Sequence, residues 1–169
     1  MDSQIFALLS DRGSLTERFR QLMGVKPRLT RLRQEREFVS LQERDLLGIE
    51  PRQMALIREI KMAKGEQDWL FARTIVPLAT LNGSARRIGC LNETPIGKIL
   101  FGRQPAKRRA MQVNLTLNYP QSVIDYDLIP AEKRDLKLWL RRSIFEFEAG
   151  PLMVSELFLP DCPIYETQE

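Results

Sequence analysis

The sequence predicts an α+β fold in which short helices lie on one face of an antiparallel sheet and enclose an internal ligand cavity. Residues 53–64 and 68–78 alternate in the period-2 pattern of half-buried strands on either side of a glycine turn. Residues 138–148 and 152–159 repeat that arrangement around a turn at residues 149–151. Short stretches with helix start and stop signals separate these strands. Long strands with only short helices between them are typical of an α+β fold.

The first predicted element is a helix over residues 15–23. Ser14 and Glu17 have the capping-box spacing, in which both side chains bind free backbone donors, and Gly24 ends the helix. One face of this helix is apolar and consists of Leu15, Phe19, Leu22 and Met23. Residues 28–41 then alternate loosely and predict one strand or two.

The first hairpin has the clearest pattern. One side of its first strand carries Met54, Leu56, Arg58, Ile60 and Met62. The turn at residues 64–67 offers a glycine for a positive φ, and residues 68–78 return as a strand rich in Trp, Phe, Ile and Val.

The later elements are shorter. Residues 84–90 predict a short helix. Thr94 as the N-cap and Pro95 in the first helical position predict another, which runs to Phe101 and ends at the following glycine. A strand is predicted near residues 110–117.

Length and composition restrict the class of protein. The 169 residues are 43% hydrophobic and 28% charged, which predicts one globular domain over residues 1–169 and excludes collagen, low-complexity disorder and a disulfide scaffold. Histidine is absent, which removes the usual neutral-pH general base and the commonest metal ligand. Cys90 and Cys162 lack CxxC spacing, so neither a metal site nor a disulfide is indicated. We expect both side chains to be buried as small hydrophobic groups.

Charge and targeting patterns indicate location and partners. Residues 1–4 lack the basic start of a signal peptide, and no apolar run approaches the ~20 residues of a membrane span, so a cytoplasmic location is expected. The formal net charge is +4, with basic residues scattered among acidic ones. This favours a small anion over nucleic acid as the partner.

Charged residues interrupt the apolar strand faces. Arg58 and Glu156 each occupy a face otherwise made of apolar residues, where an unpaired charge would cost several kcal/mol. Arg73 and Arg141 also alternate with apolar or small neighbours and could reach the same interior. One interpretation is a polar pocket inside the sheet. The alternatives are that Arg58 and Glu156 simply pair with each other, or that this face is the solvent side.

Two helix starts add potential anion contacts. The backbone N–H groups of Leu15 and Ile96 fall in the first turns of the two capped helices. Free donors and the positive end of the helix dipole favour a carboxylate there, although every helix has such a terminus.

Five segments then carry a family resemblance. They are REI at residues 58–60, WLFARTIVPL at 69–78, TPIG at 94–97, WLRRS at 139–143 and SELFLP at 155–160. In this order, and over most of the chain from about Ser14, they resemble the chorismate pyruvate-lyase family.

This resemblance implies an antiparallel sheet that closes over an internal site and a reaction without metal or organic cofactor. The reaction is the cleavage of chorismate to 4-hydroxybenzoate and pyruvate, toward the head group of a quinone such as ubiquinone or plastoquinone. Ligand contacts would fall on Leu15, Arg58, Ile96 and Glu156, with Arg58 and Glu156 as the catalytic pair. Arg58 would hold the ring carboxylate, and Glu156 would face the ether oxygen, or the product hydroxyl, at the opposite end.

The resemblance leaves some positions open. Arg73 is the candidate for the enolpyruvyl carboxylate, with Arg141 or Arg142 as alternatives. Leu15 and Ile96 stand where well-known members have Met and Leu, which matters little if backbone N–H groups make the contacts. Residues 116–133 look like an insertion that either covers the pocket or extends a loop.

Two other function classes compete with a lyase. The fold is also similar to the effector-binding domain of some bacterial transcription regulators, which suggests a non-catalytic sensor of small aromatic carboxylates. A nucleic-acid binder would need a phosphate patch, and its candidates are Arg103, Lys107, Arg108 and Arg109. Without interleaved aromatic residues, that cluster predicts a solvated loop instead. A monomer is expected, because one domain can close over its own pocket.

Overall fold

A computed structural model describes residues 3–168, so Met1 and Asp2, which entered the targeting argument, and Glu169 lie outside it. Within this range the strands form one six-stranded antiparallel sheet in the order β1-β2-β3-β6-β5-β4. The strands are β1 (Arg28–Phe38), β2 (Met54–Lys64), β3 (Gln67–Pro77), β4 (Lys107–Thr116), β5 (Leu138–Phe147) and β6 (Gly150–Phe158). Both predicted hairpins and the predicted α+β class are therefore confirmed.

The helices are short and lie between the strands. The α-helices are α1 (Ser3–Ser10), α2 (Leu15–Met23), α3 (Leu41–Leu47), α4 (Gly97–Leu100) and α5 (Gln121–Asp125). Segments of 3₁₀ helix span Gly83–Cys90, Ala131–Lys133 and Pro163–Gln168. None of the described helices is long and apolar enough to cross a membrane.

The helices cover both faces of the sheet rather than one. On the first face, named the cavity face, α1, α2, α4 and Gly83–Cys90 pack on the side chains that alternate with Arg58 and Glu156. On the second, named the opposite face, α3 and α5 cover the intervening side chains. Strands β2, β3, β5 and β6 are apolar on both sides, so each side requires a cover of its own.

Residues 116–133 belong to the opposite face. Val123, Leu128 and Ile129 are buried there against Phe71 and Leu157. This segment therefore contributes to a second core and does not cover the cavity.

Several local expectations differ from the structure. The helix at residues 94–101 begins only at Gly97, because Thr94 lies in a preceding turn and its N–H donates to the carbonyl of Leu91. Cys162 is buried, as predicted, but Cys90 is exposed at the end of its 3₁₀ segment. Leu22 is also exposed, which leaves Leu15 and Phe19 as the buried residues of the predicted apolar face.

Candidate functional site

A cavity lies between the cavity face of the sheet and the starts of α2 and α4. Its space amounts to about 570 Å³, including its opening to solvent. Apolar side chains of β2, β3 and β6 form most of the floor, namely Ile60, Met62, Leu70, Ala72 and Val154. Among the lining residues are four of the five predicted site residues: Leu15, Arg58, Ile96 and Glu156. An apolar chamber with a few polar groups is typical of a small-ligand site.

Arg58 is a buried cation with no acidic partner within residues 3–168. It is 1% exposed, and its Nη2 donates to the carbonyl oxygens of Asn92 at 3.1 Å and Thr94 at 2.9 Å. Its Nε is buried without a hydrogen-bond partner, and among the described residues no carboxylate pairs with it. Burial and the nearby Arg31 lower the pKa of Arg58 to about 10, so the guanidinium stays charged at neutral pH. The site therefore offers a positive charge that a ligand anion can neutralise.

Glu156 pairs with Arg141 and not with Arg58. Arg141 Nε donates to Glu156 Oε2 at 2.6 Å and Nη2 donates to Oε1 at 3.1 Å. The remaining nitrogen, Nη1, donates to the carbonyl oxygen of Asp11 at 2.9 Å. Arg141 is 1% exposed, whereas the Glu156 side chain keeps 13% of its surface accessible. The two-point pair fixes the carboxylate at the cavity wall. The proposed pairing of Arg58 with Glu156, and a solvent-facing sheet, are both wrong.

The starts of α2 and α4 meet above the cavity. Ser14 caps α2, and a Cβ added to Gly97 would lie 3.1 Å from the Ser14 hydroxyl oxygen. A larger residue at position 97 would require Ser14 to move by a few tenths of an ångström, so glycine suits this close approach. The first hydrogen bond of α2 is from Arg18 N–H to Ser14 O, so the N–H of Leu15 precedes the intrahelical ladder. Ile96 is the N-cap residue of α4.

Arg73 lies on the opposite face of the sheet, so the expectation that it shares the interior of Arg58 is wrong. Its Nε donates to Glu43 at 2.8 Å and its Nη1 donates to Glu59 at 2.9 Å. A β-bulge at Trp69 of β3, opposite Met62 and Ala63, explains the error. Without that shift the turn would pair Arg58 with Arg73, whereas the observed register pairs Arg73 with Glu59.

Arg142 also projects from the opposite face, because it neighbours Arg141 along β5. Its Nε donates to the hydroxyl of Ser155 at 3.2 Å. Neither Arg73 nor Arg142 lines the cavity.

Two cavity residues were missed by the sequence argument. Arg108, assigned above to a solvated loop, lies on β4 and turns into the cavity. Ser143 of β5 lines the cavity with a buried hydroxyl that has no hydrogen-bond partner. The alternation of β5 could have revealed Ser143, because it follows Arg141 at strand spacing. In β4 a bulge between Arg108 and Ala110 interrupts the alternation of the two faces, so the sequence pattern does not show that Arg108 faces the cavity.

Fold and site together define a protein with an enclosed cavity in which a buried cation, suited to a small anion, accompanies a fixed carboxylate. A profile of the chorismate lyase family matches residues 2–169, so the chain belongs to that family. The chorismate pyruvate-lyase of Yersinia enterocolitica serotype O:8 is 33% identical over 166 residues, covering 93% of this chain and 82% of the relative. That of Shigella sonnei is 32% identical over 167 residues, covering 98% and 88%.

Solved structures extend the likeness to the fold. The effector domain of PhnF from Mycobacterium smegmatis aligns with a TM-score of 0.61 over 88% of this chain and 90% of that domain. The sequences are 13% identical, so this likeness concerns the fold alone.

Proposed function

We propose that this protein is a lyase that converts chorismate to 4-hydroxybenzoate and pyruvate. The observation that carries the proposal is the buried Arg58, which has no acidic partner among the described residues and lies in the same cavity as Glu156. Membership of the chorismate lyase family supports chorismate as the substrate that this cavity binds.

Arg58 and the two helix starts hold the ring carboxylate. The free Nε of Arg58 can donate to one carboxylate oxygen, and a charge-assisted bond of this kind is about twice as strong as a neutral one. The backbone N–H groups of Leu15 and Ile96 add donors at the converging starts of α2 and α4.

Glu156 then faces the end of the ring at which the reaction occurs. The bond between ring carbon 3 and the ether oxygen breaks, and the proton on ring carbon 4 leaves. The freed enolate takes up one proton on its methylene carbon to give pyruvate, and the atoms of the two products equal those of chorismate. The hydroxyl on ring carbon 4 becomes the phenol of the product. Arg141 orients the Glu156 carboxylate toward this end, where it can bind that hydroxyl or accept the departing proton.

The substrate itself supplies most of the driving force, because loss of the enolpyruvyl group makes the ring aromatic. The protein has to hold one reactive conformation away from water. The apolar floor formed by Ile60, Leu70 and Val154 suits that task, and no cofactor is needed for it.

The same proposal covers the setting of the reaction. The product serves as a precursor of a quinone head group, and the chain acts as a single-domain monomer in the cytoplasm. All six strands join one sheet, which supports the single domain.

A non-catalytic sensor is the second candidate function, because the fold resembles that of the effector domain of PhnF. Incubation of the purified protein with chorismate, without added metal or cofactor, separates the two. Equimolar 4-hydroxybenzoate and pyruvate above the uncatalysed rate are expected from the lyase. Retention of chorismate without product would identify a sensor and overturn the proposal.

Variants assign the chemistry within that assay. Glu156→Gln keeps the shape of the side chain but loses its charge, so turnover should fall sharply. Glu146→Gln is the matched control, because Glu146 pairs with Arg109 outside the cavity. Equal rates for the two variants would remove Glu156 from the reaction.

A further inference from the structure

Arg108 is a second arginine at the cavity that has no acidic partner in the part of the chain that the structure describes. Its Nε and Nη1 are buried and have no hydrogen-bond partner, and among the described residues no carboxylate pairs with it. Its guanidinium lies 4.8 Å from the centre of the Phe145 ring and 5.9 Å from that of Phe101. The neighbouring Arg109, in contrast, pairs with Glu146 at 3.2 Å. The aromatic contacts hold the guanidinium in place while leaving N–H donors for a ligand.

The other arginines near the sheet centre are already committed. Arg141 donates to Glu156 and to backbone carbonyl oxygens, while Arg73 and Arg142 lie on the opposite face. Arg58 serves the ring carboxylate in the proposed function. Chorismate has two carboxylates, so one of them still requires a partner.

Arg108 and Arg58 approach the cavity from different strands. Arg58 projects from β2, and Arg108 projects from β4 at the far edge of the sheet, with β3, β6 and β5 between them. In the strand register Arg58 is level with Val154 of β6 and Arg108 is level with Leu152, two and four residues from Glu156. The charged groups near Arg108 are Arg141, Glu156, Arg12 and Asp11, whereas Arg31 is the charged group near Arg58. The two cations thus enter the cavity from strands on either side of β6, which carries Glu156.

We infer that Arg108 binds the carboxylate of the enolpyruvyl group and retains it as that group leaves. This inference rests on the proposed function. The group to be bound is a three-carbon carboxylate attached through the ether oxygen, next to Glu156. The planar guanidinium presents its fork to the carboxylate while its face packs on Phe145. Arg108 therefore recognises the substrate and not the aromatic product, which lacks this carboxylate.

The test compares Arg108→Gln with its neighbour Arg109→Gln. For each protein, KM and kcat are measured with chorismate, and the Kd of 4-hydroxybenzoate is measured by calorimetry. For Arg108→Gln we expect kcat/KM to fall roughly 10- to 100-fold, the range of one charged hydrogen bond, while the Kd of 4-hydroxybenzoate stays within about two-fold. Arg109→Gln should behave as the wild type, and thermal melting checks that both variants fold.

Two results would overturn the inference while leaving the lyase intact. One is an Arg108→Gln protein with unchanged kcat/KM. The other is an equal loss of affinity for chorismate and for 4-hydroxybenzoate, which would indicate a general effect on the cavity. Absence of turnover in the wild type would instead refute the proposed function, and this inference with it.

Discussion

On the cavity face of the sheet Arg58 is buried without a carboxylate, whereas on the opposite face Arg73 donates to both Glu43 and Glu59. The two arginines lie on adjacent strands, and the observed register places them one residue apart. Glu59 is fully buried and also accepts from Arg33 at 2.6 Å. One sheet thus holds a neutralised network on one side and free positive charge on the other.

This difference separates structural arginines from functional ones. A buried ion pair is costly to break, because removing one partner leaves the other charged and unsolvated. A buried cation without an anion carries its desolvation cost in the folded protein, and a ligand carboxylate relieves that cost. Replacement of an arginine by methionine should therefore lower mainly the catalytic efficiency on the cavity face and mainly the free energy of unfolding on the opposite face.

The largest effect is expected for Arg58→Met. The substitution removes the partner of the ring carboxylate, so kcat/KM for chorismate should fall by about 100-fold or more. The free energy of unfolding should change by less than about 1 kcal/mol, because the lost bonds to Asn92 and Thr94 are offset by the removal of a buried charge. Steady-state kinetics and urea unfolding measure the two quantities. A well-folded variant with full catalytic efficiency would contradict the assignment of Arg58.

Arg73→Met should show the reverse behaviour. Glu43 loses its arginine and Glu59 keeps only Arg33, so the free energy of unfolding should fall by about 3 kcal/mol. The melting temperature should fall by roughly 6 to 12 °C. The folded protein should retain kcat/KM within about three-fold, since that is less than about 1 kcal/mol in transition-state binding. A strong loss of activity without loss of stability would show that the opposite face contributes to the reaction.

Low pH should reduce the difference in the free energy of unfolding between the wild type and Arg73→Met. Burial alone would raise the pKa of Glu43, but hydrogen bonds from Arg73 and Ser40 outweigh it and place that pKa below its usual value. A lowered folded-state pKa stabilises the protein above the unfolded value of about 4.3, and this stabilisation is lost as the pH falls through the folded value. Urea unfolding of both proteins at pH 7 and in steps below pH 4.3 measures the effect. A constant difference across these pH values would exclude Glu43 as its source.

The sequence predicted one face of the sheet better than the other, and register explains why. Arg58 and Glu156 were recognisable because each interrupts an apolar face within its own strand. Arg73 also alternates with buried residues, but β3 is buried on both sides, so periodicity does not identify its face. The bulge at Trp69, opposite Met62 and Ala63, then decides the pairing.

The sequence analysis also did not predict α3 or the direction of Arg108, and the reasons are again local. The cap of α3 has the same signal as that of α2, since Ser40 accepts from the N–H of Glu43 three residues later. That helix could have been predicted from the sequence. Arg108 could not, because its direction depends on the bulge in β4 and on the aromatic ring of Phe145 across the strand pair.

The smallest effect is expected where backbone groups make the contacts. In the double variant with Leu15→Met and Ile96→Leu, the N–H groups at the starts of α2 and α4 keep their positions, and the side-chain volumes change little. The value of kcat/KM should therefore stay within about three-fold of the wild type, measured with chorismate under the conditions used for Arg58→Met. Gly97→Ala is the contrasting variant, because its Cβ would lie 3.1 Å from the Ser14 hydroxyl oxygen and would shift the start of α2 by a few tenths of an ångström. We expect that variant to lose affinity for 4-hydroxybenzoate as well as for chorismate. If instead the side-chain swap is harmful and Gly97→Ala is tolerated, the side chains of Leu15 and Ile96 shape the cavity and the helix starts do not bind the carboxylate.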